Sequence, residues 1–365
     1  MKIVHILLGK ANPNTMNGVN KVVYHLATEQ TKLGHEVTLC AISNNPKIDF
    51  EHIFNINVFQ VKKSRFLLNK ALKAFIQSLT SDMVVHIHSV FIPEFYSIVR
   101  LLKQKQIKYI FSPHGAYHPA SLQKNHLIKK LYIALFESKI LNTAYKIHAI
   151  GKNEVAEIQA LTANKNIYLL QNGTEIINVK ITKQIKKKDE TIFCYCGRLS
   201  KNHKGLDMLL EGFAQFLKSQ QDKVSYKLWL IGDGEDKAFL QNMVAQLQIN
   251  NNVVFWGKQY GDEKNNLIAQ SDCFVHTSRW DGMPIAVLEA AALGIPLFIT
   301  DATNMGDFVK EFNCGIVVKK NANAIYNGLL DFMANKANLS SSISMVKNRF
   351  IWNEVAQQHL KNYAK

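Results

Sequence analysis

The stretch Ser278-Arg-Trp-Asp-Gly-Met-Pro-Ile-Ala-Val-Leu-Glu-Ala-Ala-Ala-Leu-Gly-Ile-Pro296 carries one full period of an alternating α/β pattern. The apolar run Cys273–His276 before it reads as a buried strand, and Leu297–Thr300 after it reads as the next. Between them the tight loop Asp281-Gly282-Met283-Pro284 leads into a helix over Ile285–Ala292, with Gly294 as its stop signal. Both strands are continuous apolar runs, as a parallel sheet covered by helices on both faces requires. Asp281 then falls at the carboxyl end of a strand, and Glu289 about one turn inside the helix. The N terminus of that helix offers free N–H groups to an anion or a sugar oxygen.

The same period recurs on both sides. Strand runs at Ile192–Cys196, Lys227–Ile231, Val253–Trp256 and Ile316–Val318 alternate with helical patterns near Leu206–Lys218, Asp236–Gln246, Glu263–Gln270 and Ala322–Met333. The first half repeats the alternation. Its strands read at Ile3–Leu8, Val37–Ile42, Val58–Val61, Met83–His88, Tyr109–Ser112, Lys146–Ile150 and Ile167–Leu170, and its helices near Asn20–Lys32, Leu67–Leu79, Glu94–Gln106 and His126–Leu141. The polar stretch Gly173–Glu190 divides the halves. The pattern predicts an α/β protein of two Rossmann-like, doubly wound domains, 1–172 and 173–345. A long terminal helix is predicted over about Ser342–Tyr363, so that 346–365 packs back towards the first domain. Ligands on such sheets sit outside the carboxyl ends of the strands, so two facing domains are expected to share a cleft.

Four further segments follow strands. In Cys196-Gly-Arg-Leu-Ser-Lys-Asn-His-Lys-Gly205 a buried strand ends before two cations, Arg198 and Lys204, which suit a diphosphate. Ile231-Gly-Asp-Gly-Glu235 lacks the third glycine of a dinucleotide fingerprint, and a plain tight turn explains it equally well. Asn17-Gly18-Val19 opens the first helix, where a glycine lets backbone approach a ligand or simply makes an N-terminal turn. Ser112-Pro-His-Gly-Ala-Tyr-His-Pro119 puts His114 at a strand's carboxyl end. His114 and His118 have no third ligand at suitable spacing, so no metal is expected there. His86 and His88 share one strand face and read as structural or cleft-lining.

Charge and cysteine usage narrow the classes. Residues 1–170 hold 21 Lys/Arg against 9 Asp/Glu, and residues 171–365 hold 23 against 19, so the basic surplus is concentrated in the first half. Such a half suits an anionic partner: nucleic acid, a membrane surface or a phosphorylated substrate. No helix-turn-helix, RNP or zinc spacing supports nucleic acid. Cys40, Cys194, Cys196, Cys273 and Cys314 read as buried, reduced thiols. The run Ile3–Leu8 is too short for a secretory signal, and no apolar stretch approaches a membrane span, so a cytoplasmic protein is expected. Two segments, Lys124–Phe136 and Lys62–Lys70, set lysines beside an apolar helical face and suggest peripheral docking on anionic lipid at the inner face of the membrane.

The ordered set of Gly18-Val19, Gly34-His35-Glu36-Val37, Val85–His88, Pro113-His114-Gly115, Asn172-Gly173, Gly197-Arg198-Leu199, Lys204-Gly205, Ile231–Gly234 and Gly282–Pro296 resembles the retaining glycosyltransferases of family 4, which have the GT-B fold. The resemblance implies a retaining hexosyltransferase that uses a UDP- or GDP-sugar donor and a glycan or lipid-linked acceptor, with no cofactor and no divalent metal, in bacterial surface polysaccharide synthesis. By the same resemblance Arg198 and Lys204 hold the diphosphate, and Glu289 binds the ribose hydroxyls. Asp281 meets the donor sugar together with the segment Met283-Pro284-Ile285, whose N–H groups are those of Met283 and Ile285. His114 lies beside the reacting sugar, and Gly18 lies near the diphosphate and acceptor. Asp281 stands where the family has a longer Glu, and Asn17 where it has a glycine. A sugar-nucleotide epimerase is the competing enzyme class, and a basic nucleic-acid-binding protein the competing binding class.

Overall fold

The computed structural model describes every residue except 16, 124, 178, 180, 182–183, 221–223, 347–349 and 365. The chain divides into two compact units, Met1–Gly173 with Trp352–Lys365, and Thr174–Ile351.

Among the described residues the first unit is built on seven strands: β1 (Lys2–Leu8), β2 (Glu36–Ile42), β3 (Asn55–Phe59), β4 (Met83–His88), β5 (Tyr109–Ser112), β6 (Lys146–Ala149) and β7 (Ile167–Leu169). They pair in parallel in the order β3-β2-β1-β4-β5-β6-β7. Ile3 to Leu7 are all buried, which is why β1 is a continuous apolar run: it is covered on both faces. The order reverses between β1 and β4, where the crossovers before and after leave by opposite faces. That is the topological switch point of a doubly wound sheet.

The second unit holds β8 (Glu190–Cys196), β9 (Ser225–Ile231), β10 (Val253–Gly257), β11 (Cys273–His276), β12 (Leu297–Thr300) and β13 (Gly315–Val318) in the parallel order β10-β9-β8-β11-β12-β13. Its switch point lies between β8 and β11, paired at Phe193↔Cys273 and Cys194↔Phe274. Phe193, Phe213, Phe216 and Phe332 form the aromatic centre of its core. All five cysteines are buried and stand outside any disulfide. No helix among the described residues is long and apolar enough to cross a membrane.

The terminal region departs from expectation. Ser342 to Val346 belong to a helix that begins at Ala322. A separate helix, Trp352–Ala364, follows, and Phe350 and Ile351 between them are not helical. Ile351 instead forms a parallel bridge with Thr174. The Trp352–Ala364 helix packs in the first unit: the His25 ring stacks on Trp352 with centroids 5.5 Å apart, and Lys146 Nζ donates to the Asn362 carbonyl over 2.7 Å. Gly173 is a glycine for this reason, since a Cβ there would sit 2.5 Å from the Trp352 indole. The predicted helix near His126–Leu141 also changes character, with a π-helical turn at Ile133–Glu137. Sheet pairing with β2 moves β3 towards the N terminus of the predicted run, to Asn55–Phe59.

Candidate functional site

In the second unit the loops leaving β8 and β11, on either side of the switch point, carry the predicted residues. Arg198 lies two residues beyond the end of β8; its carbonyl accepts from the Tyr195 hydroxyl over 2.9 Å. Its side chain is exposed and makes no hydrogen bond or ion pair among the described residues. The turn after β9 braces this loop from behind. A Cβ on Gly234 would lie 2.2 Å from the Leu199 carbonyl oxygen, so the second glycine of Ile231-Gly-Asp-Gly is required by packing.

Lys204 is placed differently. It ends the short helix Lys201–Lys204, and Gly205 follows with φ +61°, in the left-handed region. A Cβ on Gly205 would meet the Thr277 carbonyl oxygen at 2.3 Å, so only glycine lets this loop press onto the end of β11. The result is an ion pair between the Lys204 ammonium and the Asp281 carboxylate, both side chains mostly buried. Lys204 is therefore not a free surface-loop cation. His276 Nε2 lies 2.9 Å and the Ser278 hydroxyl 3.2 Å from the same Asp281 oxygen. Burial opposes ionisation of Asp281, but Lys204 and the His276 hydrogen bond outweigh it and hold the carboxyl well below the usual range. The loop itself is pinned: Asp281 N–H donates to the Ala302 carbonyl and Asn304 N–H to the Gly282 carbonyl. Arg279 adds a bidentate pair to Asp207 at 2.8 and 2.7 Å.

Met283 and Pro284 are buried, and Ile285 begins the helix Ile285–Ala292, whose N terminus has no side-chain cap. Glu289, one turn in, forms an ion pair with Lys264, Nζ to Oε2 2.6 Å. Burial works against the lysine's charge, and the carboxylate outweighs it, holding Lys264 above its ordinary value. Lys264 was not legible as a site residue; a lone lysine in Gly261–Ala269 reads as a solvated helix face.

In the first unit Gly18 begins the helix Gly18–Lys32 after β1. It is exposed, and a Cβ added to it would meet nothing within 4 Å. No internal contact demands glycine there. Asn17 caps that helix, its Oδ1 accepting from Val19 N–H over 3.0 Å, so its side chain serves the fold. His114 follows β5 with φ +57°, and the next N–H, of Gly115, is held by the buried Glu154 carboxylate. The strained backbone turns the His114 ring inward, where Nε2 lies 3.0 Å from His88 Nδ1. His88 Nε2 in turn lies 2.9 Å from His5 Nδ1. His118 is not part of this group: its Nδ1 accepts from Ala120 N–H. Nitrogens of His5, His86 and His88 lie within 4.8 Å of one another, close enough to gather a metal, but both nitrogens of each ring already face hydrogen-bond partners. Burial keeps these rings neutral, lowering His5 to about 4 and His114 to about 3. Thus Lys204 meets Asp281, Glu289 meets Lys264, and Arg198 stands apart, while Gly18 and His114 belong to the other unit.

Two parallel Rossmann-like units, with cations and acids at the switch point of the second, define a GT-B glycosyltransferase. Residues 16–176 match the family described as Glycosyltransferase Family 4, and residues 177–349 that described as Glycosyl transferases group 1; the chain belongs to this family. It is 24% identical over 374 aligned residues to the O-antigen biosynthesis glycosyltransferase WclY of Escherichia coli, covering 100% of this chain and 98% of that one. Its fold is similar to sucrose-phosphate synthase from Thermosynechococcus elongatus, with TM-score 0.81 and 18% identity over 100% of this chain and 98% of that one. It is likewise similar to Anabaena HepE, solved with UDP and glucose, with TM-score 0.75 and 16% identity over 100% of both chains.

Proposed function

We propose that this glycosyltransferase moves a hexose-type sugar from a UDP- or GDP-sugar to a hydroxyl of a glycan or glycolipid acceptor, with retention of configuration, in the synthesis of a surface polysaccharide. The carrying observation is Arg198: an exposed guanidinium, unpaired among the described residues, at the carboxyl end of β8 beside the switch point. A guanidinium left unneutralised by its own protein suits an anionic ligand, and its fork matches phosphate oxygens. The name of WclY supports the O-antigen context, and the UDP and glucose held by HepE support the donor class.

In this reading Arg198 and Lys204 hold the diphosphate, Glu289 the ribose hydroxyls, and Asp281 with the N–H groups of Met283 and Ile285, on either side of Pro284, the sugar. Lys204 reaches the diphosphate from its pair with Asp281, so donor binding places one cation between two anions. The bond from the anomeric carbon to the diphosphate oxygen breaks as the acceptor oxygen bonds to the same face. The departing diphosphate takes the acceptor's proton, so no protein carboxylate nucleophile is required. Charge growing on that oxygen is what the cations stabilise. Neither a divalent metal nor a cofactor takes part in this scheme. A thermal-shift screen against UDP-, GDP- and ADP-sugars, followed by product analysis, tests it. Stabilisation that rises with donor concentration, and an α-linked product from an α-linked donor, support the proposal. A product of inverted configuration overturns retention, and the absence of any nucleotide-sugar effect overturns the donor class.

The proposed location is the cytoplasmic face of a membrane. Helix His126–Tyr132 buries none of its residues. Leu127, Ile128 and Leu131 are 79%, 71% and 61% exposed. The second basic-apolar segment joins it, Phe66 packing on Phe136 with centroids 4.6 Å apart and Lys62 and Lys63 exposed. A solvent-facing apolar helix beside exposed lysines fits an anionic lipid surface better than water. Lys124, the first residue of the predicted segment, lies outside the described residues.

A further inference from the structure

The His114 ring is the outer end of a continuous chain of buried hydrogen bonds that runs through the first unit. From the other end, His148 Nε2 lies 2.7 Å from the Leu170 carbonyl oxygen. His148 Nδ1 lies 2.8 Å from Ser112 Oγ, and Ser112 Oγ lies 2.6 Å from His86 Nε2. His86 Nδ1 lies 2.6 Å from the Tyr363 hydroxyl, which lies 3.3 Å from Gln30 Nε2. Gln30 Oε1 lies 2.8 Å from His5 Nε2, His5 Nδ1 lies 2.9 Å from His88 Nε2, and His88 Nδ1 lies 3.0 Å from His114 Nε2.

Elementary donor and acceptor counting gives this chain one direction. A carbonyl only accepts, so His148 carries its proton on Nε2 and accepts at Nδ1. Ser112 has one hydroxyl proton and gives it to His148, so it accepts from His86 Nε2–H. His86 Nδ1 is then bare and takes the single proton of Tyr363. Tyr363 has none left, so Gln30 must face it with the amide NH2, which turns the Gln30 oxygen to His5. His5 therefore donates from Nε2 and accepts at Nδ1, His88 does the same, and His114 donates from Nε2. Burial supports this by keeping every ring in the chain neutral: the pKa of His148 and of His5 falls to about 4, and those of His86 and His88 fall well below the ordinary value.

We infer that this relay locks His114 as the neutral Nε2–H tautomer and presents its bare Nδ1 as a hydrogen-bond acceptor for a substrate hydroxyl. The substrate contact rests on the reading of the site given above; the tautomer lock does not. His114 Nδ1 has no partner among the described residues, so the acceptor is unspent. His114 in this state can receive a hydroxyl proton's hydrogen bond but cannot donate one to a leaving oxygen. Gln30 and Tyr363 are positioning residues. Tyr363 comes from the Trp352–Ala364 helix, so the chain's last helix sets the protonation pattern of a ring more than two hundred residues earlier in sequence.

The test is a long-range proton–nitrogen correlation spectrum of the full chain labelled with 15N-histidine at pH 7.5, with His114 assigned by the His114→Gln variant. The ligand-free protein should show His114 with a protonated Nε2 and a bare Nδ1. In Tyr363→Phe the link to Leu170 is cut. His148 should keep its tautomer while His114 becomes a mixture, and turnover should fall about 3- to 10-fold, the worth of one neutral hydrogen bond, with donor KM less affected. Gln30→Met, which cuts the chain one link further on, should reproduce both effects. An Nδ1–H or doubly protonated His114 in the native protein overturns the inference, and so does a Tyr363→Phe protein that folds with His114 unchanged. Because the spectrum needs no donor, failure to bind any nucleotide-sugar would sink the functional reading and leave the tautomer result intact.

Discussion

Lys264 Nζ lies 2.6 Å from Glu289 Oε2, and both side chains are nearly removed from solvent. The acid that the family resemblance assigns to the ribose hydroxyls is thus paired with a lysine from the preceding helix. The pair has two consequences that separate in a variant series.

Glu289→Gln should lower both stability and donor affinity. Leaving Lys264 charged and alone in a buried position costs about 3 to 5 kcal/mol. Glu289→Gln combined with Lys264→Met removes the orphaned charge and should recover most of that stability, while donor KM stays raised. Urea unfolding and donor kinetics on the same proteins read the two effects. Normal donor KM in the folded double variant would show that Glu289 does not hold the nucleotide.

Arg198 and Lys204 should behave differently from each other. Arg198 is exposed and unpaired among the described residues, so Arg198→Ala should lower turnover about 100- to 1000-fold, roughly 3 to 4 kcal/mol, with an unchanged melting temperature. Arg198→Lys should rescue only part, since it lacks the planar fork. Lys204→Ala should lower turnover comparably and also destabilise, because it strips the Asp281 carboxylate of its cation. An Arg198→Ala protein that melts early yet turns over normally would assign this residue to bracing the loop.

The fold was legible in the sequence because parallel strands covered on both faces cannot alternate: Ile3–Leu7 and Cys273–His276 are buried throughout, and their apolar runs announce it. The candidate donor loops were legible because glycines mark them, and two of those glycines now have a stated cause, Gly205 against Thr277 and Gly234 against Leu199. The terminal region was misread. Phe350 and Ile351 continue an apolar pattern, and the cue that they leave the helix is a bridge to Thr174, which no local pattern encodes. Lys264, His5, His148 and His359 were invisible for a related reason. Each stands alone in its own segment, and only the sheet order β2-β1-β4-β5-β6 and the terminal helix bring the histidines together.

Acid should destabilise the first unit early. Burial, the leading cause at each ring, lowers His5 and His148 to about 4, His114 to about 3, and His86, His88 and His359 well below the ordinary 6.5. Below pH 6.5 the unfolded chain binds protons that the fold refuses, so stability falls as pH falls. Each ring contributes up to about 1.4 kcal/mol per pH unit until it titrates in the fold. Glu137, Glu154 and Glu157, raised to about 7 chiefly by burial, work the other way between pH 7 and their ordinary range, since the fold holds their protons. The rings outnumber these carboxyls, so the net slope keeps the histidine sign. Melting temperature should drop by about 5 °C or more from pH 7.5 to pH 5.5. A constant or rising value would mean the rings are solvated or already charged.

Vesicle flotation tests the exposed helix His126–Tyr132. Leu127, Ile128 and Leu131 contribute nothing to the core, so replacing all three with Ser should leave the melting temperature in place. Inserting them into a lipid surface removes apolar area from water, at about 1 kcal/mol or more each when half-buried there. The triple variant should therefore bind anionic vesicles about 100-fold more weakly. Lys62→Ser with Lys63→Ser should weaken binding by roughly another 1 kcal/mol per charge, an effect that fades with added salt and is absent on neutral vesicles. Equal binding of the native protein to neutral and anionic vesicles would remove the electrostatic part. A triple Ser variant that still floats normally would move the docking surface away from this helix altogether.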